Sequence, residues 1–187
     1  MAELSYTAIA SVDGYVNDVS GGFDWAAPDE EVHAFVNDLE REAGTALYGR
    51  RLYETMAVWD SWDVEGEPEV VRDYAALWRD TDKIVYSRTL DAVTTRRTRL
   101  ERELDLAEVR RLKEEAERPL TVGGPGLAAQ LLGARLVDEI RLFLVPWIVG
   151  GGTRAFPDGL RCPLELVDER RFAGGVAYLR YRVGGES

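Results

Sequence analysis

The chain has 187 residues, 45% of them hydrophobic, with a formal net charge of -11, a single cysteine (Cys162) and a single histidine (His33). That size and apolar content suit one domain, 1–187, with a sizeable core, and the acidity argues against nucleic acid or an anionic membrane as partner. One cysteine excludes an intrachain disulfide or thiolate cluster, and one histidine removes most zinc sites and the usual general base, so no metal site is expected. No apolar run approaches the ~20 residues of a membrane span. MAELSYTAIA lacks a basic start before an apolar stretch, so a cytoplasmic protein is expected.

Leu4 to Ala10 reads as a buried strand, followed by a turn-rich loop, SVDGYVNDVSGGFDW. Pro28 opens a helix reaching about Glu42, with Val32, Phe35, Val36 and Leu39 at the spacing of one helical face. Thr45 to Tyr48 is a strand, Gly49 a turn, and Arg50 to Ala57 a helix. Val58 to Glu67 reads as a loop carrying Trp59 and Trp62, and Pro68 opens a third helix. Lys83 to Ser87 is a strand, and Asp105 with Glu108 three residues on resembles a capping box before the next helix. Glu139 to Val149 is the longest apolar run, with Pro146 implying an edge, bulge or sheet change inside it. Leu164–Arg171 and Val176–Val183, separated by Gly174 and Gly175, read as a closing hairpin. Alternating strands and helices predict an α/β fold: a mainly parallel mixed sheet, helices on both faces, and an antiparallel hairpin at the end.

The most informative stretch is LTVGGPGLAAQLLG, Leu120 to Gly133. A short strand runs into Gly123, Gly124 and Gly126, and a small helix follows. Glycines there let backbone approach a ligand, and the N–H groups and positive dipole end of a helix favour phosphate. Gly124, Gly126 and Ala129 fit the dinucleotide pattern G-x-G-x-x-A, but Asp138 and Glu139 come too early and before the next strand to serve a ribose as in a Rossmann fold. No Walker A loop is present.

Three more segments stand at strand ends: ASVDGYV (10–16), TALYGRRLYETM (45–56) and IVYSRTL (84–90). With TVGGPGLAAQLL they resemble the dihydrofolate reductase-like superfamily, in particular the C-terminal reductase domain of the bifunctional riboflavin-biosynthesis deaminase/reductase and its stand-alone bacterial relatives. The resemblance runs from Leu4 to about Val183 and implies a three-layer fold with NADPH along the carboxyl ends of the strands. It implies that Gly49, Arg50, Arg51 and Leu52 offer N–H and guanidinium groups to the cofactor phosphates. Ser87 and Arg88 would hold the 2′-phosphate. Gly123, Gly124, Gly126, Leu127 and Ala128 would flank the pyrophosphate and nicotinamide, with Asp13 and Gly14 by the nicotinamide ribose. Arginine forks suit phosphate independently, whereas a ribose 2′-hydroxyl calls for an acid, which favours NADPH over NADH.

The resemblance also implies an acid near the start of the first helix that serves the substrate. Counting from Trp25 with Pro28 aligned points to Glu30. Counting back one turn from Phe35 points to Glu31, which borders the apolar face. Asp13 is the alternative polar group, and Asp29, Glu30 and Glu31 also suit the helix dipole. The expected activity is hydride transfer to a small heterocyclic or pyrimidine-like substrate, unassigned; the alternative is a non-catalytic nucleotide- or ligand-binding protein of the same fold. There is no deaminase half, since H-x-E followed by P-C-x-x-C is absent, and no Ser/His/Asp set for hydrolysis. His33 lies off the apolar stripe and reads as a surface or edge residue. A homodimer is expected, because the strand from Glu139 with Trp147 and the final hairpin offer a self-complementary edge or face and the riboflavin-type relatives pair.

Overall fold

The computed structural model describes residues 1–184. Its elements are β1 (Leu4–Ser11), β2 (Tyr15–Asn17), α1 (Glu30–Glu42), β3 (Thr45–Gly49), α2 (Arg50–Met56), α3 (Val58–Ser61), α4 (Glu69–Asp80), β4 (Asp82–Tyr86), β5 (Thr98–Glu101), α5 (Leu106–Glu115), β6 (Leu120–Gly123), α6 (Pro125–Gly133), β7 (Glu139–Val145), β8 (Thr153–Arg154), β9 (Leu164–Arg171) and β10 (Ala177–Val183). Eight strands form one sheet in the order β5-β4-β3-β6-β1-β7-β10-β9, and β2 pairs with β8 apart from it. The six strands from β5 to β7 are parallel. β10 and β9 close the sheet antiparallel, as the hairpin pattern predicts.

Each face of the sheet has its own core. Ala46, Tyr48 and Val85 point to one side, against Tyr53 of α2 and Trp78 of α4. Leu47 and Ile84 point to the other, with Val109 of α5 and Leu127, Leu131 and Leu132 of α6. α1 shares the face of α4, since Asn37 Nδ2 donates to Val70 O (2.9 Å) and Asp73 (2.8 Å). Side chains buried on both faces explain why β1 and β3 read as near-continuous apolar runs rather than alternating ones. Asp138 sets the entry to the central strands: it accepts from Leu4 N (2.7 Å) and from the buried Lys113 Nζ (2.6 Å), tying β1 to α5 and to the start of β7.

Several boundaries differ from the sequence reading. The strand from Glu139 stops at Val145, because Pro146 has no N–H to continue the ladder, and Trp147 and Ile148 lie exposed beyond it. Val58–Ser61 is a short helix rather than loop. Asp29, not Pro28, caps the first helix, accepting from Val32 N at 2.9 Å. Asp105 caps α5 through Ala107 N (2.8 Å), while Glu108 turns to Arg99 (3.6 Å) instead of closing a capping box. The sequence reading contains no strand at β2, β5 or β8.

Candidate functional site

The connection leaving β3 runs through α2 on one face, and the connection leaving β6 runs through α6 on the other. β3 and β6 are nevertheless adjacent, with Tyr48 level with Gly123. Neighbouring strands whose connections part to opposite faces leave a crevice at their carboxyl ends, the usual ligand position in open α/β sheets. Gly49 and the Gly123–Gly126 turn stand on its two sides, and Leu127 Cβ lies 3.9 Å from where a Gly49 side chain would begin.

The glycines do different jobs. Gly124 caps α6 with φ +89°, which an L side chain rarely adopts, and no side chain caps this helix. Pro125 fills the first helical position. Gly126 is exposed, with nothing within 4 Å of a Cβ position, so the first turn of α6 is open to a ligand. Gly123 is different: a Cβ there would overlap Leu52 Cδ2 and come within 3.1 Å of the Tyr48 ring. Its missing side chain serves packing between β6 and α2. Leu127 and Ala128 are buried, so only their backbone can face the crevice.

One strand further, β4 leads into a loop where cations gather. Ser87, 8% exposed, accepts through Oγ from Thr89 N (3.3 Å) and Leu90 N (3.0 Å). Arg50 reaches the same loop, with Nη1 donating to Thr89 Oγ1 (2.8 Å) and Nε pairing with Glu54 (2.8 Å). Arg88 is 79% exposed and faces Glu103 at 3.6 Å. Arg51 is exposed beside Arg50 on α2. The sequence reading missed Arg102, which donates to the carbonyls of Ser87 (3.5 Å), Leu90 (2.5 Å) and Asp91 (3.1 Å). Nothing local marks it; the contact exists only because β5 lies beside β4.

On the other side of the crevice, Tyr6 of β1 is level with Val122, but β1 continues to Ser11. Asp13 and Gly14 therefore stand well above the Gly123 elbow, beside the end of β7. Asp13 accepts from Val149 N (3.2 Å) and Gly150 N (2.8 Å). The Ser11 hydroxyl and these N–H groups hold its carboxyl below the usual range. From β4 through β3 and β6 to β1 is three strand spacings, about 14 Å, a span suited to an extended dinucleotide.

Of the acids at the start of α1 expected to serve the substrate, Glu31 has partners within the chain. Glu31 accepts from Ala173 N (3.0 Å) and Arg170 Nη2 (3.0 Å), fastening the helix to the turn between β9 and β10. These two partners, the Ala173 N–H first, lower its pKa, so the carboxylate holds no proton to give near neutrality. Glu30 is exposed in the first turn. His33 is half-buried against Tyr74 and Trp59, with ring centroids 5.6 and 6.4 Å away, and burial lowers its pKa. Trp59 and Trp62 belong to the same aromatic cluster, and Arg79 ties both of their carbonyls.

A cleft of about 380 Å³ opens at the opposite, amino ends of β3, β4 and β5. Its cations are already engaged: Arg97 with Asp82 (3.0 Å), Arg99 with Glu101 (3.5 Å), and Lys83 Nζ with the carbonyls of Trp78 and Thr81. The carboxyl-end crevice is the better anion site, because Arg88 there is 79% exposed against about half for Arg97 and Arg99, and the first turn of α6 adds main-chain N–H groups.

The family model of the RibD C-terminal domain matches residues 2–178. The uncharacterised Bacillus subtilis protein YyaP is 28% identical over 180 residues, covering 94% of this chain and 92% of that protein. The Thermotoga maritima diaminohydroxyphosphoribosylaminopyrimidine deaminase/5-amino-6-(5-phosphoribosylamino)uracil reductase superposes with a TM-score of 0.66 at 14% identity, over 98% of this chain and 57% of that one. Enterococcus faecalis dihydrofolate reductase, solved with NADP(H), gives 0.60 at 14% identity, over 98% and 97%. The architecture is the dihydrofolate reductase-like fold.

Proposed function

Because the chain belongs to the RibD C-terminal domain family, we propose that it is an NADPH-dependent reductase of a small heterocyclic or pyrimidine-like substrate. The observation that carries this reading is that the connections leaving the adjacent strands β3 and β6 part to opposite faces, which sets Gly49 and the open turn at Gly126 at one sheet end, with Arg50, Arg51 and Arg88 beside them in a chain of net charge -11. The Thermotoga protein named above is a 5-amino-6-(5-phosphoribosylamino)uracil reductase and the Enterococcus one was solved with NADP(H), which supports the class of reaction and cofactor.

The residues suit the cofactor. The uncapped first turn of α6 presents N–H groups and a positive dipole end to a pyrophosphate. Arg50 and Arg51 add charge from α2, and Arg88 on the Ser87 turn provides a fork for the 2′-phosphate. Asp13 and Gly14 stand where the nicotinamide ribose would lie. NADPH, when bound, supplies the hydride. The chain's own contribution is to orient both reactants at the crevice and to fix the β1–β7 end. Asp13 serves that second task through the N–H groups of Val149 and Gly150. Since Glu31 and Asp13 are both held ionised, we assign the proton delivered to the substrate to water at the open rim. The same commitment of both carboxylates is what favours the second reading, a ligand-binding protein without turnover.

Thermal-shift titration decides between binding and no binding. At a hundredfold excess over Kd, a ligand of the folded state adds about 2.7 kcal/mol, or roughly 5–10 °C in Tm for a chain of this size. NADPH at micromolar affinity should give that shift, and no shift refutes the proposal. NADPH oxidation against a panel of pyrimidine and pterin oxidants then separates reductase from binding protein.

We also propose a homodimer. β9 is a free edge strand, exposed along nearly its whole length, with Leu164 and Leu166 43% and 48% exposed on the face of Leu179 and Tyr181. These two leucines make an exposed apolar patch at the start of an otherwise charged edge (Glu165, Asp168, Glu169, Arg170, Arg171), and that patch is the surface a second copy would cover.

A further inference from the structure

Resting on the reductase reading, we infer that Arg102 is a positioning residue that makes the loop after β4 selective for a 2′-phosphate. A turn of backbone presents carbonyl oxygens, and their partial negative charge repels a phosphate dianion. Here one guanidinium covers three of them, those of Ser87, Leu90 and Asp91. The Ser87 hydroxyl takes the N–H groups of Thr89 and Leu90, and Arg50 holds Thr89 from the α2 side. With the loop's carbonyls drawn toward Arg102, what remains outward is Arg88, 79% exposed and held only loosely by Glu103 at 3.6 Å. Arg102 thus does two things at once. It fixes the backbone that carries Arg88, and it replaces a carbonyl-lined turn by a cationic one. Neither matters to a ribose bearing a free 2′-hydroxyl, so the effect belongs to NADPH and not to NADH. A fork with several N–H donors is needed to span three carbonyls, and lysine, a point charge, restores the charge without the geometry.

The test is calorimetric titration of the wild-type protein, Arg102→Ala and Arg102→Lys with NADPH and with NADH, Tm being recorded for each variant. Arg102→Ala should weaken NADPH at least tenfold and leave NADH within about twofold, a tenfold change being ~1.4 kcal/mol. Arg102→Lys should recover part of the NADPH affinity. If Arg102→Ala weakens both dinucleotides equally, Arg102 is merely structural and the inference fails. If it weakens neither, the inference also fails. A wild-type protein that binds NADPH and NADH alike overturns the inference alone. A wild-type protein that binds neither overturns the reductase reading and the inference with it.

Discussion

Gly123→Ala tests the packing that shapes the crevice. The φ of Gly123 lies outside the left-handed region, so the backbone tolerates alanine and any penalty comes from crowding. The new methyl would overlap Leu52 Cδ2 and sit 3.1 Å from the Tyr48 ring. Tyr48 is 7% exposed and packs in the core with Tyr53, Trp78 and Val85. Leu52 is half-buried on α2, three residues past Gly49, and the overlap falls on its terminal methyl, so relief comes from turning that side chain out of its place against β6. Overpacking of this kind costs about 1–3 kcal/mol, and at ~3 °C per kcal/mol for this length Tm should fall by about 3–9 °C. Urea denaturation of Gly123→Ala, Leu52→Ala and the double variant measures it. The double variant removes the overlap and should be less destabilised than the sum of the two by ~1 kcal/mol or more. The NADPH-induced Tm shift should also shrink in Gly123→Ala. A single variant within about 0.5 kcal/mol of wild type, or strict additivity in the double, refutes the packing argument.

Three further outcomes follow from the same geometry. Glu31 has a pKa below its ordinary value of 4.5, so its stabilisation is present above that value and lost as pH falls through the lowered one. Glu31→Gln should therefore lower the urea midpoint at pH 7, lose that difference as the pH falls below the lowered pKa, and leave the single-turnover hydride-transfer rate within a few-fold of wild type; a rate loss of a hundredfold would return the proton to this carboxylate. Glu103→Gln frees Arg88 and removes a like charge from the 2′-phosphate, so it should tighten NADPH two- to fivefold, on the scale of about 0.5–1 kcal/mol for an exposed pair, and leave NADH unchanged. Leu166→Glu places a charge on the exposed edge, and light scattering should then report monomer where the wild-type protein gives dimer.

The features legible in the sequence are those written in local chemistry. Gly124 before Pro125 and the apolar face of α6 declare a strand-turn-helix, and the turn at Gly174–Gly175 declares the hairpin. Parallel strands were readable because burial on both faces leaves unbroken apolar runs. β5 was not, since Thr98 to Glu101 carries one apolar residue, Leu100, between Arg99 and Glu101, and Arg99 pairs with Glu101 and with Glu108 of α5. The reading of Gly123 as an opening for ligand could not include Leu52, which meets it only once α2 is laid against β6. Glu31 borders the apolar face of α1, the local feature behind its expectation as a substrate acid. Its partners Arg170 and Ala173 lie about 140 residues away along the chain, and they decide its ionisation. Arg102 escaped notice for the same reason: it follows β5 and meets the loop after β4 only because those two strands lie side by side, with no motif around it.

The most direct measurement is a crystal structure of the protein soaked with NADPH. The account predicts the pyrophosphate at the Gly124–Gly126 turn opposite Gly49, the 2′-phosphate within hydrogen-bond reach of Arg88, and the nicotinamide directed toward Asp13. Dinucleotide density instead in the cleft at the amino ends of β3, β4 and β5, among Lys83, Arg97 and Arg99, would contradict it.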